Sequence, residues 1–248
     1  MFWWLAIALG GVPLVRAWQA NRRTSLHDAI LWAAAAWLSW GFAIAWPMDD
    51  DFAYLALCLT GCAGVAVLGA RRPHVFAWNF VAFGLLSVMA LPLLESMVIR
   101  VHSFNIERKI FLAAILTVTL GNYLPTRFGA AAAALAIGCV LKYLRLLGWP
   151  LPFDDEGLVT IAVGAAPWLA WLAMRRSVDD PFDREWRDFR DRYGFVWGAR
   201  IREQFNAAAR NANVPVVLEW SGRSKEPLAA ADLDEALALL RKTLKRFL

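Results

Sequence analysis

Long apolar segments occupy the first 174 residues of the chain, and they constrain its fold more than any other feature. An α-helix needs about 20 apolar residues to cross the hydrocarbon core of a bilayer, which is roughly 30 Å thick. Seven segments approach that length: 2–15, 29–46, 52–70, 75–94, 110–124, 128–148 and 158–174. We therefore predict an all-α polytopic membrane protein built on a bundle of about seven transmembrane helices.

Two of the seven segments are short, and a third contains charged residues. Segments 2–15 and 110–124 barely reach the length of a bilayer crossing, so a bundle of six helices is the alternative if 2–15 does not span. Segment 2–15 lacks the positively charged start and the cleavage site of a signal peptide, so we interpret it as an uncleaved first helix. In segment 128–148, we expect Lys142 and Arg145 to extend outward toward the membrane interface.

The density of charge changes sharply after residue 174. Residues 1–174 carry 20 charged side chains, whereas the 74 residues of 175–248 carry 27. This change predicts two domains, a transmembrane helical bundle over 1–174 and a small, mainly helical cytoplasmic domain over 175–248. It excludes a single soluble globule, a disordered chain, a disulfide scaffold and a free nucleic-acid-binding protein. The expected partner of the first domain is the lipid bilayer, and no nucleic acid is expected.

Arginine placement predicts the orientation, because cytoplasmic loops carry an excess of Lys and Arg. Arginines follow the first, third, fifth and seventh segments: Arg16, Arg22, Arg23, Arg71, Arg72, Arg127, Arg175 and Arg176. Acidic triplets at 49–51 and 154–156 lie in loops on the opposite side. We expect the N-terminus outside and the C-terminus in the cytoplasm. The excess of Arg over Lys, together with abundant Ala, is compatible with a GC-rich bacterial genome and hence with a bacterial inner membrane.

Polar residues inside the predicted spans mark a candidate ligand site. Asn79 lies early in the fourth segment and Asn122 late in the fifth, so both fall toward the inner leaflet. Tyr123 follows Asn122 directly, and Arg127 comes five residues after Asn122. If the two segments are neighbours, these four residues form one polar cluster that could bind an anionic headgroup or substrate. Hydrogen bonding between helices is the other interpretation.

The C-terminal domain carries an aromatic stripe. Asp180 and Pro181 are typical of a helix start, and aromatic residues then recur at steps of three and four. Four of them are candidate partner-binding residues: Trp186, Phe189, Tyr193 and Trp197. Gly194 and Gly198 predict a bend in this helix. Because so small a domain has little core, the stripe must be covered by the last helix, by the membrane surface, or by a protein partner or second copy.

The rest of the domain gives two weaker predictions. Residues 216–220 are typical of a short strand or an extended segment. Asp232 and Glu235 resemble a capping box at the start of the last helix.

No catalytic, metal-binding or phosphate-binding motif occurs in the chain, so no catalytic residue, metal ligand or cofactor is nominated. The leading hypothesis is a non-enzymatic membrane subunit or assembly (scaffold) component whose cytoplasmic domain contacts a partner. One alternative is a transporter or flippase of a small or lipidic anion. A further alternative is a membrane enzyme that acts on lipids or isoprenoids.

Overall fold

The computed structural model describes residues 2–46, 50–71, 75–99, 105–150, 155–175, 180–224, 229–245 and 247. The described residues form nine α-helices and no β-strand, which confirms the predicted all-helical class. In chain order the helices are α1 (Phe2–Asn21), α2 (His27–Ala45), α3 (Asp50–Leu68), α4 (Val75–Ile99), α5 (Ile106–Gly121), α6 (Gly129–Leu146), α7 (Asp155–Met174), α8 (Pro181–Asn211) and α9 (Ala230–Leu244).

Five helices are long and apolar enough to cross a membrane: α2, α3, α4, α6 and α7. This supports the prediction of a membrane protein with transmembrane helices. The other two predicted spans are also helical, but α5 has only 16 residues and α1 contains Pro13 and Arg16 within its 20 residues. A bundle of seven spans therefore stays a prediction.

Helix α3 is the centre of the bundle and packs on α2, α4, α5 and α6. Small residues let its neighbours approach closely. A Cβ placed on Gly61 would lie 2.5 Å from Cγ2 of Ile115, and one on Gly64 would overlap Thr119. Both neighbours belong to α5, so this pair of glycines fixes the contact between α3 and α5.

Helix α4 lies at the edge of the bundle. It packs mainly on α3 and exposes Phe76, Phe80 and Phe83, an arrangement that suits contact with lipid tails. Helix α3 packs on both α4 and α5. These two helices also meet at one end, where Nη1 and Nη2 of Arg108 donate to the carboxylate oxygens of Glu95 at 2.8 and 3.0 Å. Asn79 and Asn122 lie toward the other ends of α4 and α5, away from this ion pair.

Charged residues at one end of α6 are paired rather than extended outward. Lys142 is 1% exposed, and its Nζ donates to the two carboxylate oxygens of Glu156 at 2.6 and 2.8 Å. Arg145 also pairs with Glu156, and its Nε lies 3.7 Å from Oδ1 of Asp50. The expectation that Lys142 reaches outward is wrong, because a neighbouring helix supplies the carboxylate that a buried ammonium needs.

The predicted bend in α8 is found at Gly194, whose φ of 79° and ψ of −168° interrupt the helix. The predicted start is also found, since Oδ1 of Asp180 accepts hydrogen bonds from the backbone N–H groups of Phe182 and Asp183.

Beyond α8 the chain forms no regular element over 214–219 and makes one isolated bridge, between Leu218 and Arg223. The strand predicted over 216–220 is therefore not found. The capping box predicted for the last helix is wrong. Helix α9 begins at Ala230 after Ala229, two residues before Asp232, and no side chain caps it.

Candidate functional site

The loop between α5 and α6 packs on the kink of α8. We call this contact the loop–kink junction and define it as residues 121–127 with residues 188–196. Asn122 is its centre and is buried, with 5% of its surface exposed. Its backbone oxygen accepts from the N–H of Phe195 at 2.7 Å, and its Oδ1 accepts from the N–H of Val196 at 2.9 Å. Its Nδ2 donates to the backbone oxygen of Tyr193 at 3.3 Å.

These three bonds explain why an asparagine suits the kink. Where a helix is interrupted, its backbone N–H and C=O groups lose their partners within the helix and must find others. The amide side chain of Asn122 has both a donor and an acceptor, so it satisfies a C=O group and an N–H group on the two sides of Gly194. The loop therefore supplies hydrogen-bond partners that the backbone at the kink lacks within its own helix.

Gly194 is required at the kink for two reasons. Its φ of 79° lies in the left-handed region that residues with a Cβ rarely adopt. A Cβ at this position would also overlap the side-chain amide of Asn122. The bend that the sequence predicts is thus the place where α8 comes closest to the loop.

Further hydrogen bonds extend the junction along the loop. The hydroxyl of Tyr123 donates to the backbone oxygen of Arg192 at 3.1 Å. The indole Nε1 of Trp220 donates to the backbone oxygen of Pro125 at 2.8 Å. Trp220 lies in the irregular segment after α8, so the loop is held from two sides.

A buried carboxylate lies at the centre of the charged part of the junction. Asp191 is 0% exposed. Its Oδ1 accepts from Nε and Nη2 of Arg190 at 2.9 and 2.7 Å and from the backbone N–H of Arg127 at 3.2 Å. Nε of Arg127 lies 3.1 Å from Oδ2 of Asp191, and its Nη2 donates to Asp188 at 2.9 Å. Two arginines and two aspartates balance, which is the condition for burying such charges.

Beside the junction, hydrogen bonds connect four parts of the chain: the residues before α2, the end of α3, the kink region of α8 and Phe247 near the C-terminus. The Ser25 hydroxyl, before α2, donates to the backbone oxygen of Ala70, after α3, at 2.8 Å and lies 2.9 Å from the hydroxyl of Tyr193. Tyr193 in turn donates to the backbone oxygen of Phe247 at 2.9 Å. Nε1 of Trp197 donates to the backbone oxygen of Leu68, the last residue of α3, at 3.0 Å.

The aromatic stripe of α8 is covered by the chain itself. Trp186, Phe189 and Tyr193 are buried, and Trp197 is half-buried. The ring of Phe247 lies 5.0 Å, centroid to centroid, from those of Phe189, Tyr193 and Trp197. Three covers were considered for the stripe: the last helix, the membrane surface, and a protein partner or second copy. In the structure the last helix covers it, together with Phe247 and the ends of bundle helices.

The four polar residues predicted as a ligand site are divided between two places. Asn122, Tyr123 and Arg127 lie together in the junction. Asn79 lies elsewhere, where its Nδ2 donates to Oδ2 of Asp28 at 2.5 Å. Oδ1 of Asp28 lies 2.9 Å from Nδ1 of His27. Binding of a headgroup or substrate by these residues stays a prediction.

Sequence reasoning missed the residues of the C-terminal segment that bond to the loop, Asp188 and Asp191 on α8 and Trp220 after it. It also missed Arg190, which pairs with Asp191. One signal was available, because Asp191 stands between Phe189 and Tyr193 on a helix whose aromatic face was expected to be buried. The alternation of Asp and Arg instead favoured a solvated face. The residues of α8 that contact the loop are about 70 positions from it in the sequence, so no local pattern identifies them.

A shallow pocket of about 380 Å³ lies along the second half of α8. Its lining residues are Arg202, Glu203, Asn206, Arg210, Leu218, Glu219 and Trp220. Asn206 shapes the pocket, because its side chain donates to the backbone oxygen of Leu218 at 3.0 Å and accepts from the N–H of Leu218 at 2.8 Å. The pocket combines charges of both signs with apolar surface.

The loop–kink junction and the pocket differ in what their polar groups contact. In the junction, Asn122 and Asp191 bond to groups of the same chain, so the junction is built to hold the loop and α8 together. Within the described part of the chain, no group of three or more His, Cys, Asp or Glu residues is arranged to hold a metal ion.

Comparisons of the chain with protein-family models, with curated proteins and with solved structures found no match.

Proposed function

We propose that the protein is a non-enzymatic, multi-pass subunit or scaffold component of a bacterial inner membrane. In this proposal seven helices span the bilayer and the N-terminus lies outside. Residues 175–248 form a cytoplasmic domain that presents a surface to a partner protein. The loop–kink junction carries the proposal, because it fixes the orientation of the charged segment relative to the bundle. A platform for a partner needs such a fixed orientation.

The positions of the contacts support one common side for this domain. The C-terminal segment bonds to Ser25 before α2, to Leu68 at the end of α3 and to Asn122 after α5. If each predicted span crosses once, all three positions lie on the side where α7 ends. That side carries Arg22, Arg71 and Arg127, as expected for a cytoplasmic face.

The partner surface in this proposal is the pocket along α8 rather than the aromatic stripe, which the chain covers. The exposed Val217 lies one residue before the lining residue Leu218. Protein interfaces that form and dissociate combine an apolar centre with a polar rim, as this surface does. The charges on its rim, including Arg202 and Arg210, would select the partner's orientation.

Photo-crosslinking in cells tests this proposal. A photoreactive amino acid is placed at Arg210 or Val217 on the pocket surface, and at Phe80 on the lipid-facing side of α4 as the matched control. We expect one discrete protein adduct from both pocket positions and none of the same mass from Phe80. Reversing the rim charge with Arg202→Glu should weaken that adduct. An absence of adducts at both pocket positions, with a monomer in mild detergent, would contradict the proposal.

A further inference from the structure

Two apolar side chains stand exposed directly after the kink. Phe195 and Val196 are 48% and 45% exposed, although their neighbours Tyr193 and Gly194 are buried. The backbone N–H groups of both residues are fixed by Asn122, so the exposure belongs to a well-defined turn. Exposed apolar side chains that continue a larger apolar patch mark a surface that contacts a protein or a membrane.

Two hydrogen bonds fix the position of residues 195–197 along the length of the bundle helices. Trp197 donates to Leu68, the last residue of α3, which is one of the five helices able to cross a membrane. Phe195 donates to Asn122, the first residue after α5. Residues 195–197 therefore lie level with the ends of two bundle helices. For a helix that crosses a bilayer, this level is the boundary between acyl chains and headgroups.

The exposed pair also lies near the apolar outer surface of the bundle. The ring of Phe195 lies 5.5 Å, centroid to centroid, from that of Trp220, which bonds to the backbone of Pro125. Leu124, next to Pro125, is exposed, as is Val118 in the last turns of α5. The apolar surface of α5 thus leads toward Phe195 and Val196.

Arg200 adds a charge beside this turn. It is exposed and lies one turn after Val196 on α8, and its guanidinium carbon lies 5.6 Å from the centre of the Trp197 ring. Tryptophan and arginine are both favoured at the membrane interface, tryptophan for its amphipathic ring and arginine for its attraction to lipid phosphate.

We propose that Phe195 and Val196 insert into the lipid leaflet at this end of the bundle and that Arg200 faces the phosphates of anionic lipids. The occupant of the exposed pair is thus the bilayer in which the bundle sits, and not a protein. The kink of α8 has two sides in this arrangement. One side bonds to the loop after α5, and the other contacts lipid. The inference requires that the bundle is embedded in a membrane, but it does not require the partner proposed above.

Spin labelling of the full-length protein in nanodiscs of phosphatidylcholine and phosphatidylglycerol tests this inference. A nitroxide is attached to Phe195→Cys, and to Glu203→Cys, an exposed charged position two turns further along α8, as the matched control. The native Cys58, Cys62 and Cys139 are buried, so the unsubstituted chain treated in the same way gives the labelling background. Collision rates are then measured with oxygen, which concentrates in lipid, and with a nickel chelate, which stays in water.

We expect the label at position 195 to collide often with oxygen and several-fold less with the nickel chelate than the label at 203. A label at Val196→Cys should behave as the one at 195. An unchanged elution profile of each variant shows that it has folded. Nickel collisions at 195 equal to those at 203 would overturn the inference. Protection of 195 from both reagents would also overturn it, because a protein cover and not lipid would then occupy the surface.

Discussion

Gly194 and Asn122 approach so closely that a Cβ on the glycine would overlap the side-chain amide of the asparagine. The two residues are 72 positions apart in the chain, and one belongs to the bundle while the other belongs to the charged C-terminal segment. This single contact brings together the sharpest bend of α8 and the loop after α5.

Gly194→Ala should loosen the loop–kink junction. A φ of 79° with a ψ of −168° is essentially restricted to glycine and costs a residue with a Cβ about 1–3 kcal/mol, and the overlap with Asn122 adds to this. We expect a lower melting temperature in detergent and faster hydrogen exchange at the amides of Phe195 and Val196. Gly84→Ala is the control, because a Cβ there meets no other atom within 4 Å. Equal stability of the two variants would contradict the account of the kink.

Asn122→Ala should expose the backbone of the kink without adding bulk. It leaves the buried oxygen of Tyr193 and the part-buried N–H of Val196 without their side-chain partner, and a buried polar group left unpaired costs about 1–3 kcal/mol. The control is Thr117→Ala in α5, whose exposed hydroxyl bonds only within its own helix, to Ala113. Residue-resolved hydrogen exchange should show faster exchange at Val196 in the first variant alone. Unchanged protection there would show that Asn122 does not hold α8.

The two aspartates of the junction should differ in their effect on stability. Asp191→Ala leaves Arg190 and Arg127 without a buried carboxylate, and breaking a buried ion pair costs about 3–5 kcal/mol. Asp188→Ala should cost below about 1 kcal/mol, because Asp188 is 39% exposed in its pair with Arg127. Melting temperatures of the two variants check this order. The reverse order would mean that Asp191 is not buried in the membrane-embedded protein.

Asp180 should make the start of α8 sensitive to acid. Partial burial opposes ionisation of Asp180, but hydrogen bonds from Asp183, Arg223 and Phe182 outweigh it and hold the pKa below its ordinary value. A pKa that is lower in the folded state favours folding above the unfolded value of about 3.9, and this contribution is lost as pH falls through the folded pKa.

We therefore expect the wild-type protein to melt at a higher temperature than Asp180→Ala near neutral pH. The difference should shrink as the pH falls below about 4. Asp180→Asn retains the cap but not the charge that pairs with Arg223, so it should melt between wild type and Asp180→Ala near neutral pH and lose the dependence on pH. A difference between wild type and Asp180→Ala that stays constant with pH would contradict the role assigned to the carboxylate.

Sequence patterns predicted the elements of the fold better than their contacts. Apolar runs located the helices, and Asp180 and Gly194 marked a start and a bend, because these features depend on neighbouring residues alone. The partner of Lys142 and the burial of Asp191 were not predicted, since each depends on residues brought near by packing. Asn122 was recognised as a polar residue in an apolar segment, but nothing local shows that it bonds to α8.

The C-terminal segment rests on the loop after α5, and we propose that this contact lies at the cytoplasmic end of the bundle. Cysteines at Pro125 and Ser221, both exposed, test it with a short, membrane-impermeant bis-maleimide, because the adjacent Trp220 bonds to Pro125. The control pair joins Ser221→Cys with Leu94→Cys, an exposed position toward the other end of α4. We predict that the first pair crosslinks in inside-out membrane vesicles and not in intact spheroplasts, and that the control pair crosslinks in neither. Crosslinking of the first pair from outside, or from neither side, would contradict the claim.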